Sequence, residues 1–288
     1  MRPGTSSVTE PIVYRHRVVV AYEGTEFHGW QRQVRADGSE FRTVQRSLED
    51  AVFRVFHERV PVVGASRTDS GVHAIGQVAA FNTRKMFKID RVAIALTSQL
   101  PSDVQVRDSR VVADDFDPIA HARSKCYRYE IATGRPPQSW QPLFTRRTTY
   151  RAPYSVNAEA MDQAAKKLIG THDVSGLAQK HHGRGHTVRT IFDCRVSRPA
   201  PNLIRMEVVG NGFLYNMVRI IAGTLLEIGR DRMPPERIDE VLATGNRRRA
   251  GQTLPPHGLS LRWIHYGPGD LPATFPEGTP NPVPGDEP

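Results

Sequence analysis

The sequence predicts an α+β fold, and three observations carry that expectation. Short apolar runs with partial two-residue alternation are scattered along the chain, separated by stretches whose apolar residues recur with helical period. Turn-forming residues join neighbouring strand candidates as hairpin-like connections, which suits a mixed antiparallel architecture better than the strict strand–helix alternation of a doubly wound sheet. The mixture occurs twice, which divides the chain into halves at 12–114 and 115–267.

The elements follow in order. Tyr14–Tyr22 is partly alternating and β-branched and reads as a strand. The stretch 44–58 places Val44, Leu48, Val52, Val55 and Phe56 on one helical face, with Thr43 positioned as the N-cap. Val60–Gly64 and Gly76–Phe81 read as short strands flanking a tight Thr-Asp-Ser-Gly connection, and 104–112 as a further strand. In the second half, a strand at Cys126–Ala132 sets Tyr127, Tyr129 and Ile131 on one face, and Cys126, Arg128 and Glu130 on the other. A helix at 158–169 is bracketed by Asn157 and Gly170. Strands near 187–197 and 202–210 precede an apolar helix from Phe213 to Ile228, stopped by Gly229, and a last helix opens at Pro234-Pro235. Residues 1–11 read as a flexible N-terminus and 268–288 as a disordered tail rich in Pro and Gly, whose only charges are acidic.

Composition narrows the class. A chain of 288 residues can bury a substantial core, and 39% apolar with 24% charged residues is the balance of a soluble globular protein. Thirty-nine Lys and Arg against thirty Asp and Glu leave a net charge of +9, which suits a polyanionic partner. Cys126 and Cys194 are too few for a disulfide framework or a four-thiolate metal site. No apolar run reaches the ~20 residues of a membrane helix, and the first residues lack a secretory apolar segment. A cytoplasmic protein is expected by elimination.

Three segments concentrate chemistry. Gly64-Ala65-Ser66-Arg67-Thr68-Asp69-Ser70-Gly71-Val72-His73-Ala74 contains ordinary turn formers, and it also sets Asp69 at the end of an apolar strand, where a carboxylate can be presented rigidly into a cleft. Arg67 adds a planar cation suited to phosphate or base stacking. Farther on, Arg219 is the only charge in Met217–Leu226. It either reaches along the helix to solvent or, if buried, needs an anion, for which Asp69 is the best candidate. Lys125-Cys126-Tyr127-Arg128-Tyr129 interleaves aromatic and basic residues, a pattern that serves either core packing or the stacking of exposed bases. His181, His182 and His186 are a conceivable metal cluster, although Gly and Arg fill their spacing as a basic surface loop would. Asp69-Ser70-Gly71 is similar to the tripeptide of aspartic hydrolases, yet the second such carboxylate is missing. No Walker loop or complete dinucleotide fingerprint is present.

In order along the chain these segments resemble the TruA family of tRNA pseudouridine synthases. The early signature is Tyr22-Glu23-Gly24 through Gly29-Trp30-Gln31-Arg32-Gln33, and the nucleophile motif is Ser66-Arg67-Thr68-Asp69-Ser70-Gly71-Val72-His73-Ala74. The Tyr127-Arg128-Tyr129 segment follows Asp115-Phe116 and Ala122-Arg123. Asn211-Gly212-Phe213 leads into Met217-Val218-Arg219-Ile220-Ile221-Ala222-Gly223, and Pro255-Pro256-His257-Gly258-Leu259 resembles the closing segment. The resemblance spans residues 13–266. Two departures stand out: Ser66 occupies a position usually filled by Gly, and Val34–Arg42 is longer than the usual loop.

The resemblance implies two α+β halves with mainly antiparallel sheets joined into one, helices on the outer face, and a central RNA-binding cleft. It implies an isomerase that converts uridine to pseudouridine at positions 38–40 of the tRNA anticodon arm. No cofactor or metal is expected, because breaking the N-glycosidic bond, rotating the uracil and rejoining it through carbon involves no redox change. By the same resemblance Asp69 is the essential carboxylate, acting as nucleophile or as base. Arg219 is its charge partner, Tyr127 stacks on the flipped base, and Arg67 helps fill the space the base leaves. The partner is tRNA, and the resemblance implies a homodimer. The alternative is a non-catalytic RNA-binding protein of the same fold, which would have no use for Asp69 or Arg219.

Overall fold

The computed structural model describes residues 12–134, 143–179 and 186–267. The expectations for 1–11, for 268–288 and for His181 and His182 lie outside the described residues. The first half runs β1 (Tyr14–Tyr22), α1 (Val44–Phe56), β2 (Val63–Gly64), β3 (His73–Thr83), α2 (Ile89–Ser98) and β4 (Val104–Val112). The second runs β5 (Ser124–Thr133), β6 (Tyr150–Ala152), α3 (Ala158–Lys166), β7 (Gly170–Asp173), β8 (Val188–Ala200), β9 (Leu203–Gly210), α4 (Met217–Gly229), α5 (Arg237–Thr244) and β10 (Leu259–His265).

The strands form one sheet in the order β4-β1-β3-β10-β5-β9-β8-β7, with β2 beside β3 and β6 beside β5. Pairing is antiparallel within β4-β1-β3 and within β10-β5-β9-β8-β7. The two blocks meet where β10 runs parallel to β3, through the pairs Ser260↔His73 and Leu261↔Ala74. The α+β expectation, with one continuous and mainly antiparallel sheet, therefore describes this chain.

Alternation along the strands decides what each face carries. Val18, Val20 and Tyr22 of β1 and Tyr127, Tyr129 and Ile131 of β5 enter one core with Val44, Leu48 and Val52 of α1, Met161 of α3 and Ile221 and Leu225 of α4. On the other face Cys126, Val209 and Trp263 make a small separate cluster. Beside it the buried Glu207 carboxylate accepts bonds from both Arg128 and Arg195, a charged network on the side away from the main core.

Several boundaries differ from the sequence reading. Thr43 does cap α1, its hydroxyl accepting from the Arg46 N–H, but the helix stops at Phe56 because His57 turns left-handed at φ 58°. The strand expected at 60–64 shrinks to Val63–Gly64. Helix α2 was not anticipated, since only Val92 and Leu96 of it are buried and its apolar stripe is narrow. Asn157 caps α3 through the N–H groups of Glu159 and Ala160, yet Gly170 at φ +122° starts β7 rather than closing the helix. α4 begins at Met217, not Phe213, because Asn216 is left-handed at φ 60°, and Gly229 is its last helical residue. α5 opens at Arg237, past the Pro pair. β6, β7 and β10 carry too few alternating residues to stand out, being 3, 4 and 7 residues long.

Candidate active site

The loop between β2 and β3 carries Asp69, and its shape follows from short-range bonding. The Asp69 carbonyl accepts from the Val72 N–H at 3.1 Å, and Gly71 sits at φ +80°, which together make a type II turn. The turn and the presented carboxylate are thus the same object. Behind it packs the early signature. Trp30 N–H donates to the Thr68 carbonyl at 3.0 Å, and Gly71 N–H to the Phe27 carbonyl at 3.3 Å. A Cβ on Gly29, already at φ +84°, would lie 2.7 Å from the Thr68 oxygen, and one on Gly24 would lie 2.0 Å from the Val72 oxygen. These two glycines let two segments, forty residues apart in sequence, touch backbone to backbone.

Side chains complete the clamp. Tyr22 Oη and Thr68 Oγ1 are 2.7 Å apart, both buried. The fully buried Gln77 spans Ser66, its Oε1 accepting from the Ser66 N–H at 3.2 Å and its Nε2 donating to the Ser66 carbonyl at 2.5 Å. His73 accepts from the Gly24 N–H at Nδ1 (2.9 Å) and donates from Nε2 to the His257 carbonyl (3.1 Å). Both ring nitrogens are engaged and burial holds its pKa below the ordinary value, so His73 is a neutral strut rather than a proton carrier.

Opposite charge arrives from α4. Arg219 Nη1 lies 3.5 Å from Asp69 Oδ2, the two side chains being 15% and 29% exposed. The guanidinium is oriented by two further bonds, Nε to the Leu254 carbonyl at 2.6 Å and Nη1 to Asn216 Oδ1 at 2.6 Å. The lone cation in the apolar run therefore faces Asp69 and does not reach for solvent. Burial and Arg219 pull the Asp69 carboxyl in opposite directions, and burial prevails, leaving its pKa above the usual carboxylate value. The sequence reading, in which Arg219 favours ionisation, gives the sign of the Arg219 contribution correctly but not that of the net shift.

Tyr127 points from β5 into the same place. Its hydroxyl is 2.9 Å from Ser66 Oγ, and its ring meets Phe213 edge-on at 5.2 Å between centroids. Burial pushes its pKa up to about 12, with the Ser66 bond pulling the other way. Arg67 is exposed on the loop and stays out of the Asp69–Arg219 contact. Among the described residues, no three His, Cys, Asp or Glu side chains gather as metal ligands. Both cysteines are free and buried.

Sequence reasoning missed Gln77, Asn216, Leu254, Phe213 and the Ser66 hydroxyl as parts of this site. Gln77 had a signal, being the one polar residue in the apolar strand Gly76–Phe81. Leu254 contributes only a carbonyl and left none.

A carboxylate on a rigid turn, a guanidinium fixed against it and a buried tyrosine between two sheet halves define a carboxylate-centred site in a mixed α+β frame. The family model for tRNA pseudouridine synthase matches residues 18–118 and 164–267. The chain is 38% identical over 250 residues to tRNA pseudouridine synthase A of Acetivibrio thermocellus, an alignment covering 87% of this chain and 98% of that protein. It is 43% identical to the protein of the same name from Halalkalibacterium halodurans, over 83% of this chain and 88% of the relative. For the Myxococcus xanthus relative the identity is 40%, covering 92% and 96%. The chain belongs to the tRNA pseudouridine synthase family.

Proposed function

We propose that this chain isomerises uridine to pseudouridine at positions 38–40 of the tRNA anticodon arm, with Asp69 as the reacting carboxylate. The observation that carries the reading is the Asp69–Arg219 contact at 3.5 Å, made by residues 150 positions apart in sequence. Asp69, once ionised, attacks the sugar or removes a proton from it as the N-glycosidic bond breaks. Arg219 keeps the carboxylate oriented and works against the burial that favours its protonated form, lowering the pKa without cancelling the rise. The freed uracil turns within the cleft, C5 bonds to C1′, and the hydrogen on C5 leaves as a proton while N1 ends protonated, so the product is an isomer. Tyr127 stacks on the displaced base from beneath, and Arg67, exposed at the loop, fills the space from which the base came.

The family frame extends the reading to two structural halves, 12–114 and 115–267, to a homodimer whose tRNA contacts cross subunits, and to work in the cytoplasm on tRNA without a cofactor. The net charge of +9 supports a polyanionic substrate. Mapping pseudouridine in tRNA from cells with and without the protein tests the assignment. Loss of pseudouridine at 38–40, restored by wild type and not by Asp69→Asn, is expected. Unchanged tRNA with retained binding would instead mark an RNA-binding protein without catalysis.

A further inference from the structure

Ser66 is where two independent sets of bonds meet. Its main chain is held from behind by Gln77, which takes the N–H at 3.2 Å and gives to the carbonyl at 2.5 Å. The preceding carbonyl, that of Ala65, accepts from Lys125 Nζ at 2.7 Å, and Lys125 stands two residues before Tyr127 on β5. Loop and strand are therefore tied together without using the Ser66 side chain. The hydroxyl is left with one partner, the Tyr127 phenol at 2.9 Å.

Tyr127 has little else to fix its polar end. The residue is 5% exposed, and its ring is located by the edge of Phe213, but an edge contact fixes the ring and not the phenol oxygen. A glycine at position 66 would keep every main-chain bond of the clamp and lose only this one.

We propose that Ser66 is a positioning residue, whose hydroxyl holds the Tyr127 phenol at the wall of the cleft on which the displaced uracil rests. The proposal relies on the role given above to Tyr127. It also accounts for a polar residue at a point where the local fold asks for none. The ionisable groups that face the phenol are Asp69, from the loop, and Tyr22, from β1. Burial and the Asp69 charge both oppose loss of the phenol proton, and the Ser66 bond is the contribution in the other direction.

A double-mutant cycle tests it. Single-turnover release of tritium from C5-labelled uridine in tRNA is measured for wild type, Ser66→Ala, Tyr127→Phe and the double variant. Ser66→Ala is expected to slow release about fivefold to tenfold, the change carried by one hydrogen bond, with tRNA affinity unchanged. In the Tyr127→Phe background the same substitution is expected to change the rate less than about twofold. Ser66→Thr, which keeps the hydroxyl, is expected to restore most of the rate. A second measurement needs no activity: carbon-13 at the tyrosine ζ position, with the Tyr127 signal assigned by its loss in Tyr127→Phe. Ser66→Ala should shift that signal and raise its titration, leaving the other tyrosines in place. An unmoved Tyr127 signal, or equal slowing in both backgrounds, overturns the proposal. A wild-type protein that makes no pseudouridine overturns the functional reading instead, so the two failures are distinguishable.

Discussion

The loop 64–73 and helix α4 bring opposite charges to one point by opposite means. The loop buries Ala65 and Val72 in the main core, while Asp69 itself sits on a turn. It is fixed by hydrogen bonds and by glycines so close to its backbone that a single added carbon would collide. Helix α4 is buried on nearly every side, from Met217 to Gly229, and Arg219 is the one cation carried by that packing, Glu227 in the last turn being its other charge. Even so, the helix needs fitted backbone in one place, where a Cβ on Gly223 would sit 1.9 Å from the Gln252 oxygen. That approach brings in the segment whose Leu254 carbonyl orients the guanidinium. The comparison teaches that position on the loop depends on shape, whereas position on the helix depends on burial. The two should therefore fail differently.

The largest effect should come from Asp69, the proposed reacting group. Asp69→Asn keeps shape and is expected to abolish turnover while leaving tRNA affinity within a few fold, since only the ionised carboxylate is a competent nucleophile or base. Tritium release near the wild-type rate would remove Asp69 from the mechanism. Next comes the helix side of the pair. Breaking a buried ion pair typically costs ~3–5 kcal/mol, but Asp69 is partly exposed and can protonate or meet cleft water, so Arg219→Met should cost less than that in urea denaturation. Its activity should still fall sharply, because the carboxylate loses its charge partner.

Gly29→Ala probes the loop side without touching a charge. With φ at +84° and an oxygen 2.7 Å from the new carbon, it should destabilise the protein by ~1–3 kcal/mol and slow turnover together. A silent Gly29→Ala, in melting and in rate, would show that the loop is not held by backbone fit and would collapse the contrast with α4. A smaller effect should appear in the pH profile. Burial raises the Asp69 pKa, so the acid limb of the single-turnover rate should lie above the ordinary carboxylate value of 3.8. Arg219 lowers that pKa, so Arg219→Met should move the limb higher still; a limb that moves down contradicts the sign. The smallest effect is none: chelating zinc or magnesium should leave the rate unchanged once the tRNA is folded. A chelator-sensitive chemical step, with tRNA structure intact, would call for a metal in the site.

How much of this was legible in the sequence divides along the same line. Asp69 and Arg219 were readable because each breaks a local pattern, one as a carboxylate at a strand end and the other as a lone charge in the apolar run Met217–Leu226. Their meeting was inferable too, because a buried guanidinium needs an anion. The parts that hold them were not. Gly24 and Gly29 look like loop glycines until the Val72 and Thr68 oxygens are seen against them. Asn216 is an unremarkable residue before a helix until its left-handed backbone and its bond to Arg219 are known. Such features depend on distant segments arriving at a backbone atom, and a one-dimensional pattern holds no trace of them. Two of the boundary errors share a cause, since His57 and Asn216 end or delay helices by adopting φ values that their residue types only sometimes take.

The placement of β10 bears on when the protein becomes competent. Its residues, Leu259–His265, come late in the chain, yet they lie between β3 and β5 at the middle of the sheet. During synthesis the β4-β1-β3 block and the strands from β5 to β9 can each begin pairing as they emerge, N-terminal elements first. The seam between them stays open until β10 arrives. The segment just before β10 supplies the Leu254 carbonyl to Arg219 and the His257 carbonyl to His73, so both sides of the site wait for the same stretch of chain. A chain that stops before residue 254 therefore lacks the joining strand and both of these carbonyls. Among the described strands β10 is the last in chain order, so the strand that joins the two blocks and the stretch that orients both sides of the site come from one late segment.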